Sequence, residues 1–478
     1  MSKDASPKML ATNVDIVHQG SEIILPIING QPMSNDEGIT WLQRKRDEEE
    51  RVSSVHHEIP CSPLDGLVAF HRALAEKYGW AQAVPTPGFF GPNPPKMIGA
   101  DISATERLNV PFGRIQIPGI DGHLSTHIRT EPKPTFLIGG EVKKKHTNHV
   151  LEIVTLTKRY LKEQSIYKGK AVRVAFDWLD DDGDIDRDYD PMEDAPKFLQ
   201  LDGIKDDDLI FGDAVVASLN IGLFTPIEQT DACREYKIPL KRGVLLYGPF
   251  GTGKTMTAYV SAVKAVRNDW TFIYLDNVMH LKKGLEFAAQ YAPAVLFAED
   301  IDRAVNGERT VSMDEILNTI DGVDTKGKEV ITVLTTNDVE RINPALLRPG
   351  RLDTLVHVTP PDAKAAERLV ELYARGLLAK NVNLEKVGMA LEGKIPAVIR
   401  EVTERAKIAA IYRTKGGKIE GKVLEEDLLN GAMAMESHVA MLTPKDADAK
   451  DTPEFLVRIP QNHPSAKEAL SHFKPKAA

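Results

Sequence analysis

Hydrophobic and polar positions follow three different rhythms along this chain. Through residues 1–60 apolar positions are scarce; residues 23–28 read as a short strand and residues 41–51, rich in Arg, Lys and Glu, as an exposed helix, so this stretch is expected to be an arm, partly irregular. From residue 61 the pattern becomes globular. Leu64, Leu67, Val68, Leu74 and Ala75 recur at helical spacing, a proline-rich loop follows over 83–95, and strand-like runs stand at 113–117, 123–128 and 135–138. Val150, Leu151, Val154, Tyr160 and Leu161 mark a second helix and 171–176 a last strand, so residues 61–176 predict a small α+β domain. Beyond residue 205 the strands change character: 243–247, 271–275, 294–298 and 330–335 are continuous apolar runs, the mark of a parallel sheet covered on both faces. That core ends at the Pro360-Pro361 pair, and two helical stripes (Ala366, Leu369, Val370, Tyr373, Leu377; then Ile399, Val402, Ala406, Ala409) predict a helical region to residue 440, with a mobile tail over 441–478.

Charge adds a fourth feature. The 478 residues carry a formal net charge of −9. Residues 177–194 hold ten carboxylates against one base, Arg187, and sum to −9 by themselves, so the remainder is balanced. An acidic linker over 177–204 is therefore expected. An EF-hand reading fails, because Gly183 in the glycine position puts Trp178 and Tyr189 where oxygen ligands are required. A balanced-to-acidic chain makes a nucleic-acid partner unfavoured. Cys61 and Cys233 give no disulfide framework, no apolar leader opens the chain, and no run is long enough to span a bilayer. The expectation is a cytoplasmic protein with no membrane partner.

The chemistry is concentrated after the strand at 243–247. Gly248-Pro249-Phe250-Gly251-Thr252-Gly253-Lys254-Thr255 matches G-x-x-x-x-G-K-[ST]. Its glycines let successive backbone N–H groups point into one concavity, Lys254 can reach β- and γ-phosphates, and the Thr255 hydroxyl suits Mg2+. Met256 continues the helix that starts here, whose dipole adds positive potential. Forty-five residues after Lys254, an apolar strand ends in Glu299-Asp300, and the next strand ends in Thr336-Asn337. Arg348 and Arg351 then flank a Pro-Gly turn; guanidinium is the group suited to charge on a transferring phosphoryl.

Taken in order, Gly-Val-Leu-Leu-Tyr-Gly-Pro-Phe-Gly-Thr-Gly-Lys-Thr, Phe-Ala-Glu-Asp-Ile-Asp, Thr-Thr-Asn and Asn-Pro-Ala-Leu-Leu-Arg-Pro-Gly-Arg-Leu-Asp resemble the AAA clade of the AAA+ ATPases. The resemblance covers roughly residues 205–440. It implies an α/β fold, a P-loop parallel-sheet core (205–360) with a C-terminal helical lid (361–440), preceded by the α+β domain. It further implies ATP and Mg2+ as cofactors. The family's pattern places Lys254 and Thr255 on phosphates and Mg2+, and Glu299 and Asp300 as the Walker-B pair, with Glu299 toward the metal. It makes Asn337 the first sensor, and Arg348 and Arg351 fingers that act on a neighbouring subunit's ATP in a ring, usually a hexamer. Gly212, within Ile210-Phe211-Gly212-Asp213, falls where the family touches adenine.

Four departures bear on function. The Walker-B order is reversed to Glu then Asp, as in the branch resembling the mitochondrial complex-III assembly chaperone, which gives the role of base to the shorter Asp300. Phe250 replaces a common second proline. The interval 276–285 has no aromatic–hydrophobic–Gly pore loop of the kind that unfoldases use, and Pro396-Ala397-Val398 stands where Gly-Ala-Asp is usual, with Arg400 the candidate second sensor. The expected function is an ATP-hydrolysing ring that remodels or moves a protein client. A nucleotide-dependent scaffold with little turnover is the alternative, and a nucleic-acid motor is less favoured.

Overall fold

The structure, a computed structural model, describes residues 17–19, 22–24, 33–89, 91–129, 135–176, 195–302, 327–342, 346 and 350–442. The acidic segment 177–194, Arg348 and the tail beyond 442 lie outside the described residues. Strands are β1 (Val17–Gln19), β2 (Glu22–Ile24), β3 (Val52–Pro60), β4 (Gln82–Ala83), β5 (Lys96–Asp101), β6 (Arg107–Phe112), β7 (Arg114–Gln116), β8 (Gly122–Arg129), β9 (Thr135–Lys143), β10 (Ala171–Val174), β11 (Lys197–Phe198), β12 (Arg242–Tyr247), β13 (Thr271–Leu275), β14 (Ala294–Ala298), β15 (Val330–Thr336) and β16 (Thr354–His357). The helices used below are α1 (Asn35–Glu49), α2 (Pro63–Tyr78), α3 (Thr147–Glu163), α4 (Asp213–Leu219), α5 (Thr225–Glu228), α6 (Thr230–Glu235), α7 (Lys254–Arg267), α8 (Leu281–Gln290), α9 (Ala363–Ala374), α10 (Leu384–Leu391), α11 (Pro396–Arg413) and α12 (Glu425–Leu442).

The chain forms two compact units. The larger contains the described residues up to 209 and from 213 to 359, and is built on a seven-stranded sheet of order β11-β10-β13-β14-β15-β12-β16. Every pairing in it is parallel except β10 with β11. All five residues of β14 and all seven of β15 are buried, as expected for strands covered on both faces. The same unit carries the antiparallel sheet β3-β9-β8-β7-β4. Here β3 buries every fourth residue, Val55 and Ile59, and exposes the other face. Helices α2 and α3 cover the buried face; Gly66 of α2 lies so close to Phe136 that a Cβ there would sit 2.5 Å from its side chain.

The sequence pattern assigns 171–176 to the N-terminal domain. The structure instead pairs Ala171–Val174 in parallel with β13, in register Ala171↔Phe272 to Val174↔Leu275. The two sheets also share one apolar core, running from Val55 and Leu67 to Leu296 and Leu334. A polar pin reinforces the join. Asp65, 1% exposed, accepts from the Ser165 hydroxyl at 2.6 Å and the Ile166 N–H at 3.0 Å, and the Ser62 N–H donates to the Tyr291 hydroxyl at 3.3 Å. Burial drives the Asp65 carboxyl above its ordinary range despite these donors. Tyr167 packs edge-on to Tyr291 with ring centroids 5.8 Å apart.

The smaller unit contains residues 210–212 and 360–442 of the described chain. Helices α9 to α12 enclose Leu369, Val370, Ile399, Val402 and Ala406, all buried, with Ile210 in the same core. Arg413 grips Asp427 through two bonds, 2.7 and 2.6 Å. Among the described residues, no helix is long and apolar enough to cross a membrane.

Candidate nucleotide site

Parallel strands end at one edge of their sheet, and the site assembles on that edge. The register pairs Tyr247 of β12 with Thr336 of β15, and Leu275 of β13 with Ala298 of β14. The P-loop, Glu299-Asp300 and Asn337 therefore leave adjacent strands at their carboxyl ends, where open α/β sheets bind ligands.

The loop owes its shape to glycine. Gly248, Gly251 and Gly253 have φ of 153°, 74° and 105°. At Gly248 a Cβ would meet the Val358 carbonyl at 2.2 Å, so a side chain is excluded on space as well as on φ. The loop runs into α7, whose first turn receives no side-chain cap. Its leading N–H groups and its dipole are thus directed at the loop's concavity. Thr252 is buried and donates to the Pro249 carbonyl at 2.9 Å, bracing the turn. Lys254 is 8% exposed and donates to the carbonyls of Gly248 and Pro249 at 2.8 and 2.9 Å. Its burial lowers the ammonium's pKa, and Asp300, Glu299 and Asp302 act in the opposite sense. Thr255 and Met256 are exposed at the start of the helix, and Phe250 is exposed at the loop tip.

Opposite the loop, Asp300 turns the chain out of β14 with φ of 55°, a left-handed conformation that Asp tolerates better than most residues. Its N–H donates to the Thr335 hydroxyl at 3.1 Å, and one of its carboxylate oxygens, Oδ1, accepts from the Asn337 amide at 3.0 Å. Asp302 accepts from the Thr336 hydroxyl at 2.9 Å. The sequence motifs include Asp302, Thr335 and Thr336 but assign them no role. A threonine at the carboxyl end of a buried strand, facing the acids of the next strand, is the signal that could find them. Glu299 receives the phenol of Tyr274, whose ionisation burial and the Glu299 charge push well up. The other Glu299 oxygen, Oε1, is buried and has no hydrogen-bond partner.

That orphaned oxygen is the observation by which Mg2+ can be tested. A buried carboxylate oxygen without a donor is what a cation satisfies, and Mg2+ commonly rests on one or two protein groups together with phosphates. The residues present fit it: Glu299 and the Thr255 hydroxyl are the groups that would hold it. Among the described residues, no cluster of three or more His, Cys, Asp or Glu forms a metal cage.

Arg351 is not brought into this site. Its carbonyl packs on Gly243, at the start of β12, so closely that a Cβ there would sit 1.8 Å away. With Lys241, Arg242, Val330 and Thr332 it lines a small cavity at the amino ends of β12 and β15. Five residues of strand, about 17 Å, separate Gly243 from Gly248. Gly212 belongs to the smaller unit, where a Cβ would lie 3.0 Å from the Asp362 carboxylate. The interval 276–285 is a 3-10 turn (Val278–His280) and the first turn of α8, with Val278, Leu281 and Leu285 buried and the His280 ring edge-on to Phe176 at 6.2 Å.

Residues 244–360 match the model of the ATPase family associated with various cellular activities (AAA). Over this stretch the chain is similar to the ATPase domain of that family. Several curated proteins are similar to the chain. A Cell division cycle protein 48 homolog of Archaeoglobus fulgidus is 33% identical over 39% of this chain and 28% of its own length. A 26S proteasome regulatory subunit 4 homolog of Dictyostelium discoideum is 27% identical over 58% of this chain and 65% of its own. A Proteasome-activating nucleotidase of Methanocaldococcus jannaschii is 29% identical over 39% and 47%. The chain thus spans less than two thirds of the length of each of these relatives.

Proposed function

We propose that the protein is a Mg2+-dependent ATP hydrolase that works as a ring of identical subunits, with six as the expected number, and that it uses ATP to remodel or move a protein partner. The observation that carries the reading is the convergence of Lys254, Glu299, Asp300 and Asn337 at one end of the sheet while Arg351 stands at the other. Among the described residues, the end that carries the P-loop then offers phosphate binding and a base while Arg351 stands apart from it, and a ring would bring that guanidinium from the neighbour.

In this reading the P-loop N–H groups and Lys254 bind the β- and γ-phosphates. Asp300 takes a proton from the water that attacks the γ-phosphorus, while the bond from that phosphorus to the ADP oxygen breaks. Asn337 holds the Asp300 carboxylate and can share the same water. Mg2+, held by Thr255 and Glu299, would supply neutralisation of phosphate charge. Arg351 and Arg348 of one subunit would meet the phosphates bound by the next. The left-handed turn at Asp300 offers a physical reason why the Glu-Asp order, shared with the complex-III assembly chaperone branch, is compatible with turnover: the backbone rather than an extra methylene carries the carboxylate forward. The interval 276–285, a 3-10 turn and the start of α8 with no Phe, Tyr or Trp, favours moving a partner without threading it through an aromatic pore loop. The names of the similar proteins, a 26S proteasome regulatory subunit and a proteasome-activating nucleotidase among them, support a protein rather than a nucleic acid as client.

Steady-state phosphate release by the wild type and by Asp300→Asn tests the reading. Loss of a positioned base is expected to slow turnover by roughly 10²–10⁴. Wild-type turnover no faster than that of the variant would instead favour a nucleotide-gated scaffold.

A further inference from the structure

The antiparallel sheet of the larger unit has an open side. Strand β3 is its edge, and the hydrogen-bond parity along it can be followed from two bonds. The Lys144 N–H donates to the Arg51 carbonyl at 2.9 Å, and the Lys143 N–H to the Asp121 carbonyl at 3.0 Å. In an antiparallel ladder, bonded pairs alternate. Even-numbered residues of β9 therefore bond β3 and odd-numbered ones bond β8. On β3 this commits Ser53, Val55, His57 and Ile59 to β9 through the pairs Ser53↔Val142, Val55↔Gly140, His57↔Ile138 and Ile59↔Phe136. The N–H and C=O groups of Val52, Ser54, His56 and Glu58 consequently point away from the sheet. Among the described residues, no strand pairs with them. Pro60, with no N–H, closes this row at one end.

What lies beside the edge gives the row a character. Helix α3 covers the buried face of β3 and β9, and one of its flanks is tied to α2 through Tyr160 and Arg159 to Glu76 and Lys77 to Glu152. The opposite flank, at i, i+4, i+7 and i+11, consists of Leu151, Thr155, Lys158 and Lys162, all exposed. This flank lies on the β3 side, because α3 packs on β3 and β9 while α2, along the other flank, packs on β9. Among the described residues, no carboxylate pairs with Lys158 or Lys162. The edge and the flank together form a trough with the outward backbone donors and acceptors of four residues on one wall, and one apolar and two cationic side chains on the other.

We infer that this trough binds an extended, acidic segment of a protein partner, which adds as a strand along β3 and sets carboxylates against Lys158 and Lys162. Backbone hydrogen bonds supply sequence-tolerant affinity, and alternate side chains supply selection: one set meets Leu151 and the lysines, the other lies beside Ser54, His56 and Glu58. Like-charged or proline-containing segments are excluded, the first by the two ammonium groups and the second by the loss of N–H donors. The inference goes beyond the ATPase reading and does not depend on it, since this binding needs no nucleotide.

The test uses the full chain without nucleotide and a fluorescent nonapeptide of alternating Val and Glu, read by anisotropy. A Val-Lys peptide and a Val-Glu peptide N-methylated at alternate residues are the controls. Wild type is expected to bind the acidic peptide and to discriminate against both controls by at least about tenfold. Ser54→Pro removes an outward N–H without breaking a bond to β9, so the sheet should fold with an unchanged melting temperature while the affinity drops by about tenfold or more. Lys158→Glu should weaken the Val-Glu peptide and strengthen the Val-Lys one. Absence of wild-type binding, or Ser54→Pro and Lys158→Glu both binding as the wild type does, overturns the proposal. A fall in oligomer mass on Ser54→Pro, with the peptide unable to compete, would overturn it in favour of a second copy of this chain as occupant.

Discussion

At their carboxyl ends β12, β14 and β15 present a buried ammonium, two acids in sequence and an amide: Lys254, Glu299-Asp300 and Asn337. At their amino ends, about 17 Å away along the strands, β12 and β15 meet Lys241, Arg242 and Arg351, three basic residues around one small cavity. One end has the groups to seat phosphates and activate water, and the other has the groups to neutralise charge. In the proposed reading, and among the described residues, each end lacks what the other has for phosphoryl transfer. A closed ring, in which one subunit's amino end faces the next subunit's carboxyl end, is the arrangement that would complete both.

The largest effects should come from variants that separate the two ends. Lys254→Ala is expected to abolish nucleotide binding. Arg351→Ala is expected to leave nucleotide affinity within about twofold and to cut hydrolysis by roughly 10³ or more, the usual scale for a finger. Equimolar mixing of the two inactive variants should restore measurable turnover, because some interfaces then pair an intact P-loop with an intact arginine. A titration of one variant into the other, followed by phosphate release, checks this. Mixtures that stay silent at every ratio would place the Arg351 contribution inside its own subunit, against the observed separation.

Much of this arrangement is legible in the amino-acid sequence. The continuous apolar runs at 271–275, 294–298 and 330–335 are β13, β14 and β15, since a strand covered on both faces has no polar face to alternate with. The P-loop is readable because glycine and lysine are required at fixed spacing. Three things are not readable there. The four residues Ala171–Val174 look like any short strand, and their partner β13 lies about a hundred residues later, across an acidic segment that suggests a boundary. The Asp65–Ser165 bond and the Ser62–Tyr291 bond span 100 and 229 residues, beyond any local pattern. Thr335, Thr336 and Asp302 are polar residues whose buried partners are other polar residues, so hydrophobic periodicity passes over them.

Smaller effects belong to the carboxyl end alone. Asn337 donates to Asp300 at 3.0 Å, and Asn337→Ala removes that bond from a half-buried carboxylate. Turnover should fall by about ten- to a hundredfold, in the range of groups that orient a catalytic partner, with nucleotide affinity nearly unchanged. A binding isotherm and a turnover measurement on the same preparation distinguish this from general damage, which would lower both.

The smallest expected effect lies one residue further out. Tyr274 hydrogen-bonds Glu299, its ring stacks on Phe297 at 6.1 Å, and the Arg173 guanidinium sits 5.9 Å from the ring centroid. Arg173 is on β10, the first strand of the seven-stranded sheet in chain order, and it is paired with Asp276 at 2.5 Å. Tyr274→Phe keeps the packing and deletes only the donor. If Glu299 holds Mg2+, losing the group that orients it should raise the Mg2+ concentration needed for half-maximal turnover by about tenfold, while saturating Mg2+ restores most of the rate. A rate loss that Mg2+ does not rescue would mean that the phenol acts on Asp300 or the water instead. The carboxyl end would then owe its geometry less to Glu299 than its buried, unpaired oxygen indicates.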